Sequence, residues 1–566
     1  MTIYVKIDMS FLIMYSLLNI FVTIFVGTIV ALIFGRNSFR KDVYLVNIGF
    51  ISEQIESPFE KINPNKIAIQ LEGEEHWTYK QLNEKSRAYA NQLKSMGVQK
   101  GDRVGILLYN CLEYFALYFA SAKIGAIAVR LNFRLTTNEL DYAINDSGVK
   151  VLAFHSSLTE RIEPIRETIP VEHFICLEEN DDEISDWALT WDVLDNGSTE
   201  YIEESIYLDD PVMLMYTSGT TGNPKGAIWT HNNTFWFSIM QVMKWRFTGE
   251  EVSLTTGPLY HVGAMEDIAL PTLLVGGTVI ITKSKGFSME RTLNNFVNNK
   301  VTDTFLFPFM IYEWLHLDNY DSFDLSNLKR IYTGGDSLLP WAIEKISEAY
   351  PHIELMQVYG LTEGTPIAAS LDHKDIITKY HTVGKPMPMT EIKIMNETGN
   401  EAGPNEVGEI LTRSPAVSKG YWGNPEETKK TFVNGWCKTG DLGMIDEDGF
   451  LIISGRKKDM IRSGGENIYA AELEDVFYRH EAIQEIAIIG IPDPQYIETV
   501  CAVIVKKEGY ELTEEEVIEY SQQHLASYKK PRKVVFVDKL PRTPSGKVQK
   551  FILRDRYKNL MQDEPV

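Results

Sequence analysis

Thr217-Ser218-Gly219-Thr220-Thr221-Gly222-Asn223-Pro224-Lys225-Gly226 decides how the chain is read. Val212-Met213-Leu214-Met215-Tyr216 precedes it as an apolar run of strand length, and Ala227-Ile228-Trp229 follows as a second one. A strand, a loop of glycines and hydroxyls, and a lysine make a phosphate cradle. Glycines let the backbone approach a polyphosphate, while hydroxyls and free N–H groups donate to its oxygens. Lys225 adds a compact positive charge. By composition alone, a loop of Ser, Thr and Gly is a plain surface connection. The stretch is not a Walker A loop: counting on from Gly219, Pro224 stands where that pattern needs its second glycine. It also lacks G-x-G-x-x-G, so a Rossmann dinucleotide site is not indicated.

Outward from this loop, short strands and helical stretches alternate, the pattern of layered α/β folds. Upstream, Lys66–Ile69 reads as a strand, Thr78 as the cap of a helix running through Leu82 to Leu93, Val104–Leu108 as a strand, Glu113–Lys123 as a helix and Gly125–Val129 as a strand. Downstream, strands are expected at Thr278–Ile281, Thr304–Phe307 and Leu328–Tyr332, and a helix from Pro340 to Tyr350 with its proline in the first turn. Composition shifts near Gly455-Arg456-Lys457-Lys458-Asp459. The remaining stretch to Val566 suits a small α+β domain with helices near Glu472–His480 and Thr513–Leu525 and strands at Glu485–Ile489, Val500–Val505 and Lys533–Val537.

At 566 residues the chain allows several domains or subdomains. With 44% hydrophobic and 23% charged residues it is globular. A net charge of -23 argues against a nucleic-acid partner, whose phosphates call for a basic surface. The cysteines Cys111, Cys176, Cys437 and Cys501 are scattered without a C-x-x-C pair, which fits a reducing compartment and no zinc site or disulfide framework. Nothing in the sequence sets an oligomeric state.

Met9 to Gly35 contains no charged residue, and Phe11–Phe34 is long enough as a helix to cross a hydrocarbon core of about 30 Å. Arg36, Arg40 and Lys41 follow it, so the positive-inside rule puts the rest of the chain on the cytoplasmic face of a membrane. The reading carried forward is an N-terminal segment over 1–41 with a single transmembrane helix at 11–34. A translation start nearer Val43, and a signal peptide or buried helix, are its alternatives.

The loop at 217–226 resembles the signature of the adenylate-forming superfamily, which contains acyl-CoA synthetases, peptide-synthetase adenylation domains and luciferases. Further motifs follow in that family's order, so the resemblance covers about Ile51 to Leu553. It implies a large N-terminal domain of stacked α/β subdomains over 51–457 and a small mobile α+β lid over 458–566, with the active site between them. Thr217, Ser218, Gly219, Thr220, Thr221, Gly222 and Lys225 would contact the ATP phosphates. In Tyr359-Gly360-Leu361-Thr362-Glu363 the resemblance assigns the ring to adenine, Thr362 to phosphate and Glu363 to Mg²⁺. A metal-held carboxylate beside a phosphate cluster is what triphosphate cleavage needs. Gly334-Gly335-Asp336 resembles the adenine-contacting segment. Asp441, in Trp436-Cys437-Lys438-Thr439-Gly440-Asp441, would accept from the ribose hydroxyls, a task a planar carboxylate does well. Arg456 would reach the same nucleotide.

Lys547, in Pro541-Arg542-Thr543-Pro544-Ser545-Gly546-Lys547, is the expected catalytic side chain, together with Thr362 and Glu363. A positive charge where carboxylate and ATP meet lowers the barrier electrostatically. Ser463, Gly464 and Gly465 would line a channel for the pantetheine arm of CoA, and Lys458 would be the hinge between two lid arrangements. Tyr260, His261, Gly263 and Met265 would line the acyl pocket. His261 argues against an amino-acid substrate, for which that family carries Asp. Met265 stands where some long-chain enzymes carry a tryptophan gate. His231 reads as structural.

The implied activity is ATP-dependent ligation of a carboxylic acid to CoA through an acyl-AMP. The expected acid is a medium- or long-chain fatty acid, chosen because a membrane anchor suits a lipid-soluble substrate. An aryl or other hydrophobic acid, or an acyl-AMP ligase serving a separate carrier protein, is the alternative, and a luciferase-like oxidase could share the nucleotide motifs. A membrane-tethered acyl- or nucleotide-binding protein without turnover is the non-enzyme reading. Lys225, Glu363, Asp441, Arg456 and Lys547 together speak against it.

Overall fold

A computed structural model describes residues 61, 63–73, 75–179, 184–217, 224–336, 338–463, 466–542 and 548–561. Its large N-terminal part is built on two mostly parallel sheets. Among the described residues, one has seven strands in the order Leu189–Thr190, His173–Leu177, Val149–His155, Arg103–Leu107, Ile127–Arg130, Pro211–Thr217 and Lys225–Thr230, the last pair antiparallel. The other has nine, with Val252–Thr255, Asp303–Phe305, Arg330–Gly334 and Glu354–Leu361 adjacent and parallel.

Both sheets are covered on both faces, as parallel sheets require. Alternation along each strand does this. Val104 and Ile106 join the largest apolar cluster, whereas Leu107 turns to a second one on the opposite face. The helix Leu112–Lys123 touches strands of both sheets. It is buried nearly all round, with Glu113 the one residue outside its buried set. A helix without a polar face has no stable place but between two apolar layers. The outer faces are closed by Thr137–Ser147 on one sheet and by Met289–Asn298, Pro308–Leu315 and Pro340–Ala349 on the other.

The next stretch forms a five-stranded antiparallel sheet that includes Glu391–Met395, Gly408–Arg413, Trp436–Ile445 and Leu451–Arg456. The smaller C-terminal part is a second five-stranded sheet around Ile483–Asp493 and Ile497–Lys506. Here the period is two throughout. Ile486 and Ile488 face Leu473 and Phe477, whereas Ala487, Ile489 and Ile491 face Leu553. The helices Ala470–Phe477 and Lys550–Tyr557 therefore sit on opposite faces.

The membrane expectations are corrected. Residues 11–34 lie outside the described residues, and among the described residues no helix is long and apolar enough to cross a membrane. The longest described helix, Tyr79–Ser95, has 17 residues and carries Lys80, Glu84, Lys85, Arg87 and Lys94. At about 1.5 Å per residue it spans about 26 Å, short of a hydrocarbon core of about 30 Å. The transmembrane helix, the membrane partner and the cytoplasmic-membrane-face location are not carried further.

Candidate functional site

Strand ends deliver most of the site. Pro211–Thr217 and Lys225–Thr230 form an antiparallel pair in which Thr217 stands opposite Lys225. This pair stands at the end of the seven-stranded sheet; Ser218, Gly219, Thr220, Thr221 and Gly222 lie outside the described residues. Thr230 then caps the helix His231–Trp245 through a reciprocal pair with Asn233. His231 is buried there, and that burial lowers its pKa to about 4, so it stays neutral, as a structural histidine should.

Glu363 follows the strand Glu354–Leu361 of the other sheet, and the two sheets meet at this point. Thr217 Oγ1 donates to Glu363 Oε1 at 2.8 Å. Trp229 Nε1 donates to the Thr362 carbonyl at 3.1 Å. Tyr421 Oη also donates to Glu363 Oε1, at 3.3 Å. Lys225 Nζ lies over the Tyr421 ring at 5.3 Å and pairs with Glu427 Oε2 at 2.6 Å. That ammonium, with Lys430, holds the Glu427 carboxyl down to about 2. Tyr421, Glu427 and Trp229 were not anticipated from sequence. The one local signal is the Gly420-Tyr421-Trp422-Gly423 run, because Glu427 meets Lys225 only across the fold.

Gly334 and Gly360 are there for close approach. A Cβ on Gly334 would stand 2.5 Å from the Val358 carbonyl oxygen, and one on Gly360 would stand 2.1 Å from that of Thr365. Gly335 adopts φ +87°, a left-handed value that turns the chain into Asp336. Beside these turns, Tyr359 Oη donates to Asp441 Oδ2 at 2.7 Å, and Arg456 Nε pairs with Asp441 Oδ1 at 2.7 Å. Asp441 and Arg456 face each other on antiparallel strands, so this contact follows from the register. Burial, then the Asp441 charge, pushes the Tyr359 phenol well above its ordinary range.

Two buried anchors hold the 257–261 turn. Arg130, at the end of its strand, pairs with Glu266 and donates to the carbonyls of Leu259 and His261; both side chains of the pair are fully buried. Asn110 accepts from Leu259 N at 2.8 Å and donates to the Gly257 carbonyl at 3.0 Å. His261 Nδ1 in turn accepts from Gly263 N at 3.1 Å. The four expected pocket residues have different neighbours. A Cβ on Gly263 would stand between His261 and Phe307, Tyr260 packs edge-on against Phe133 at 5.3 Å, and Met265 is fully buried in the central core.

Asp459 is held by Arg554, next to Lys458. Ser463 is in the hairpin Ile461–Ser463 with Glu466–Ile468, whose Asn467 reaches Glu397 at 3.4 Å; Gly464 and Gly465 lie outside the described residues. In the C-terminal part, Glu474 pairs with Lys550 at 2.7 Å, and burial first, with the Asp336 charge as a smaller contribution, raises the pKa of both Glu474 and Tyr478. Lys547 itself is outside the described residues. Among the described residues no three His, Cys, Asp or Glu side chains gather as a metal cluster. Glu363, one carboxylate beside a phosphate-type loop, fits Mg²⁺, which keeps waters and substrate phosphates among its ligands.

Two family models match the chain: the AMP-binding enzyme over residues 59–422 and the AMP-binding enzyme C-terminal domain over 472–547. A feruloyl-CoA synthase from Amycolatopsis sp. is 35% identical over 88% of this chain and 97% of its own length. A long-chain-fatty-acid–CoA ligase of Mycobacterium tuberculosis is 32% identical over 85% of this chain and 93% of its own. The crystal structure of an anthranilate CoA ligase in complex with anthranoyl-AMP superposes with a TM-score of 0.83 at 26% identity, covering 91% of this chain and 98% of that one.

Proposed function

The chain belongs to the AMP-binding enzyme family and is an AMP-forming acid–CoA ligase, and from that premise we propose how its residues divide the work and which acid they take. The observation that carries the proposal is the convergence of separated segments: Thr217 on Glu363, Trp229 on Thr362, and Tyr359 and Arg456 on Asp441.

Tyr359 and the 334–336 turn seat the adenine, and Asp441 accepts from the ribose hydroxyls. Lys225 leaves Glu427 for the polyphosphate, with Thr217 to Gly222 donating around it. Glu363 would hold Mg²⁺, which would supply positive charge to neutralise the phosphates. A carboxylate oxygen of the acid then attacks the α-phosphorus, and the bond to pyrophosphate breaks to leave acyl-AMP. Lys547 stands between the two anions as they meet. The lid, from Lys458 onward, then turns so that Ser463, Gly464 and Gly465 face the site. The CoA sulfur attacks the acyl carbonyl, its proton passes to solvent, and AMP leaves.

For the acid we favour a compact aryl or other hydrophobic acid. Phe305, Phe307 and Phe309 step outward from the core at 5.2 and 6.1 Å, and Phe287 continues the series at 6.4 Å with its side chain in solvent. Aromatic edges and faces of this kind suit another ring. Behind Gly263, the buried side chains of Arg130, Glu266 and Asp267 flank the turn. An alkyl chain running on past Gly263 would meet these polar groups. The loss of the membrane argument removes the first reason for a fatty acid. The similarity to a long-chain-fatty-acid–CoA ligase keeps that acid as the second reading.

Lys547→Ala tests the division of labour. It should cut pyrophosphate release from acid and ATP by about 10²–10³-fold, the cost typical of removing one electrostatic contact to a transition state. Thioester formation from supplied acyl-AMP should fall far less. Unchanged pyrophosphate release would refute the role of Lys547.

A further inference from the structure

We propose that Asp267 is a specificity residue of the acyl site, a carboxyl that hydrogen-bonds a hydroxyl group at the far end of the acid from its reacting carboxylate; this rests on the ligase reading above.

Asp267 sits on the wide, π-helical turn Met265–Ala269, a geometry that recurs at functional sites. It is 4% exposed, and its Oδ1 has no hydrogen-bond partner among the described residues. Its neighbour Glu266 is equally buried but has Arg130. A buried polar atom left unpaired costs free energy and asks for an occupant. The other oxygen of the same carboxyl, Oδ2, lies at the bare face of Gly263. A Cβ there would stand 3.9 Å from Asp267 Oδ2, 3.8 Å from Phe307 Cζ and 3.3 Å from His261 Nδ1. The glycine thus leaves a methyl-sized space bounded by a ring, an imidazole and a carboxyl. The imidazole Nδ1 is already engaged by Gly263 N. Of these groups, the Asp267 carboxyl carries a buried oxygen with no hydrogen-bond partner among the described residues.

Burial, reinforced by the Glu266 charge, holds the Asp267 carboxyl well above its ordinary range. A neutral carboxyl offers one O–H donor and keeps acceptor capacity, which matches a hydroxyl in both directions. A site built to hydrogen-bond a substrate hydroxyl rejects the analogue that lacks it, because the pocket group is then left unpaired.

The test is AMP and pyrophosphate release by the full chain with matched acids: cinnamate against 4-hydroxycinnamate, 3-phenylpropionate against its 4-hydroxy form, and hexanoate against 6-hydroxyhexanoate. Wild type should favour at least one hydroxylated member by about tenfold or more in kcat/KM. Asp267→Leu should bring that ratio to near one, mainly by lowering the hydroxylated member, and Asp267→Asn should retain most of it. Equal kcat/KM within every pair, or a ratio that Asp267→Leu leaves unchanged, would overturn the inference and leave the ligase reading standing. No pyrophosphate from any acid would overturn the ligase reading and this inference with it. If Asp267→Leu fails to fold, the wild-type ratios and Asp267→Asn still decide.

Discussion

Asp441→Asn separates the nucleotide role of this carboxylate from its structural one. In the structure one oxygen accepts from Tyr359 Oη and the other from Arg456 Nε, each at 2.7 Å. The amide has the same shape, but a single oxygen then serves both partners and the ribose, and its NH₂ faces a donor. Hydrogen bonds to a charged group are worth about 1.5–3 kcal/mol each. Losing one ribose bond outright and weakening the other costs about 2–4 kcal/mol, which is about 30- to 1000-fold in affinity. The stability cost is smaller. Arg456 is 40% exposed, and a pair open to water on one side contributes about 1 kcal/mol or less. Calorimetric titration with AMP, paired with thermal unfolding, reads the two effects separately. AMP affinity within threefold of wild type would refute the ribose assignment. A large drop in unfolding temperature would show that Asp441 acts mainly through the fold.

The buried pair Arg130–Glu266 should behave as a unit. Arg130→Met alone should destabilise by about 3–5 kcal/mol because it strands a buried carboxylate, whereas Arg130→Met with Glu266→Met should recover most of that loss in thermal unfolding. Stability should also fall as pH drops. His155 and His231 are both held neutral by burial, with pKa lowered to about 4. The unfolded chain takes up their protons near pH 6.5 and the folded one only near 4. Each therefore contributes up to about 3 kcal/mol that is present above pH 6.5 and lost as pH falls towards 4. Glu179 and Lys285 act on His155, and Asp210 and Lys100 on His231, so urea unfolding of His155→Gln and His231→Gln should show flatter pH slopes. A wild-type slope retained in both variants would place the acid sensitivity elsewhere.

Local signals carried much of this structure. Thr78 was legible as a cap because its hydroxyl precedes a helical period, and the structure gives it a full capping box with Gln81. The helix at Leu112–Lys123 was legible in extent, yet its position between two sheets follows only from the absence of a polar face. Pro340 begins its helix as expected, and the strand before it runs Arg330–Gly334, slightly later than Leu328–Tyr332, since Gly334 still pairs with Val358. What local pattern could not show is long-range pairing. Glu427 is separated from Lys225 by 202 positions, and Glu266 from Arg130 by 136. Asp267 reads as a surface residue in sequence because aspartate normally is one. Only the turn that buries it shows otherwise.

The central claim is that the acid is activated as an adenylate. Incubating the protein with ATP, CoA and a turned-over acid labelled with ¹⁸O in both carboxyl oxygens tests this most directly. Attack of the carboxylate on the α-phosphorus predicts AMP with one labelled oxygen for each thioester formed, and unlabelled pyrophosphate. Label in phosphate or pyrophosphate, or thioester formed with unlabelled AMP, would contradict the account.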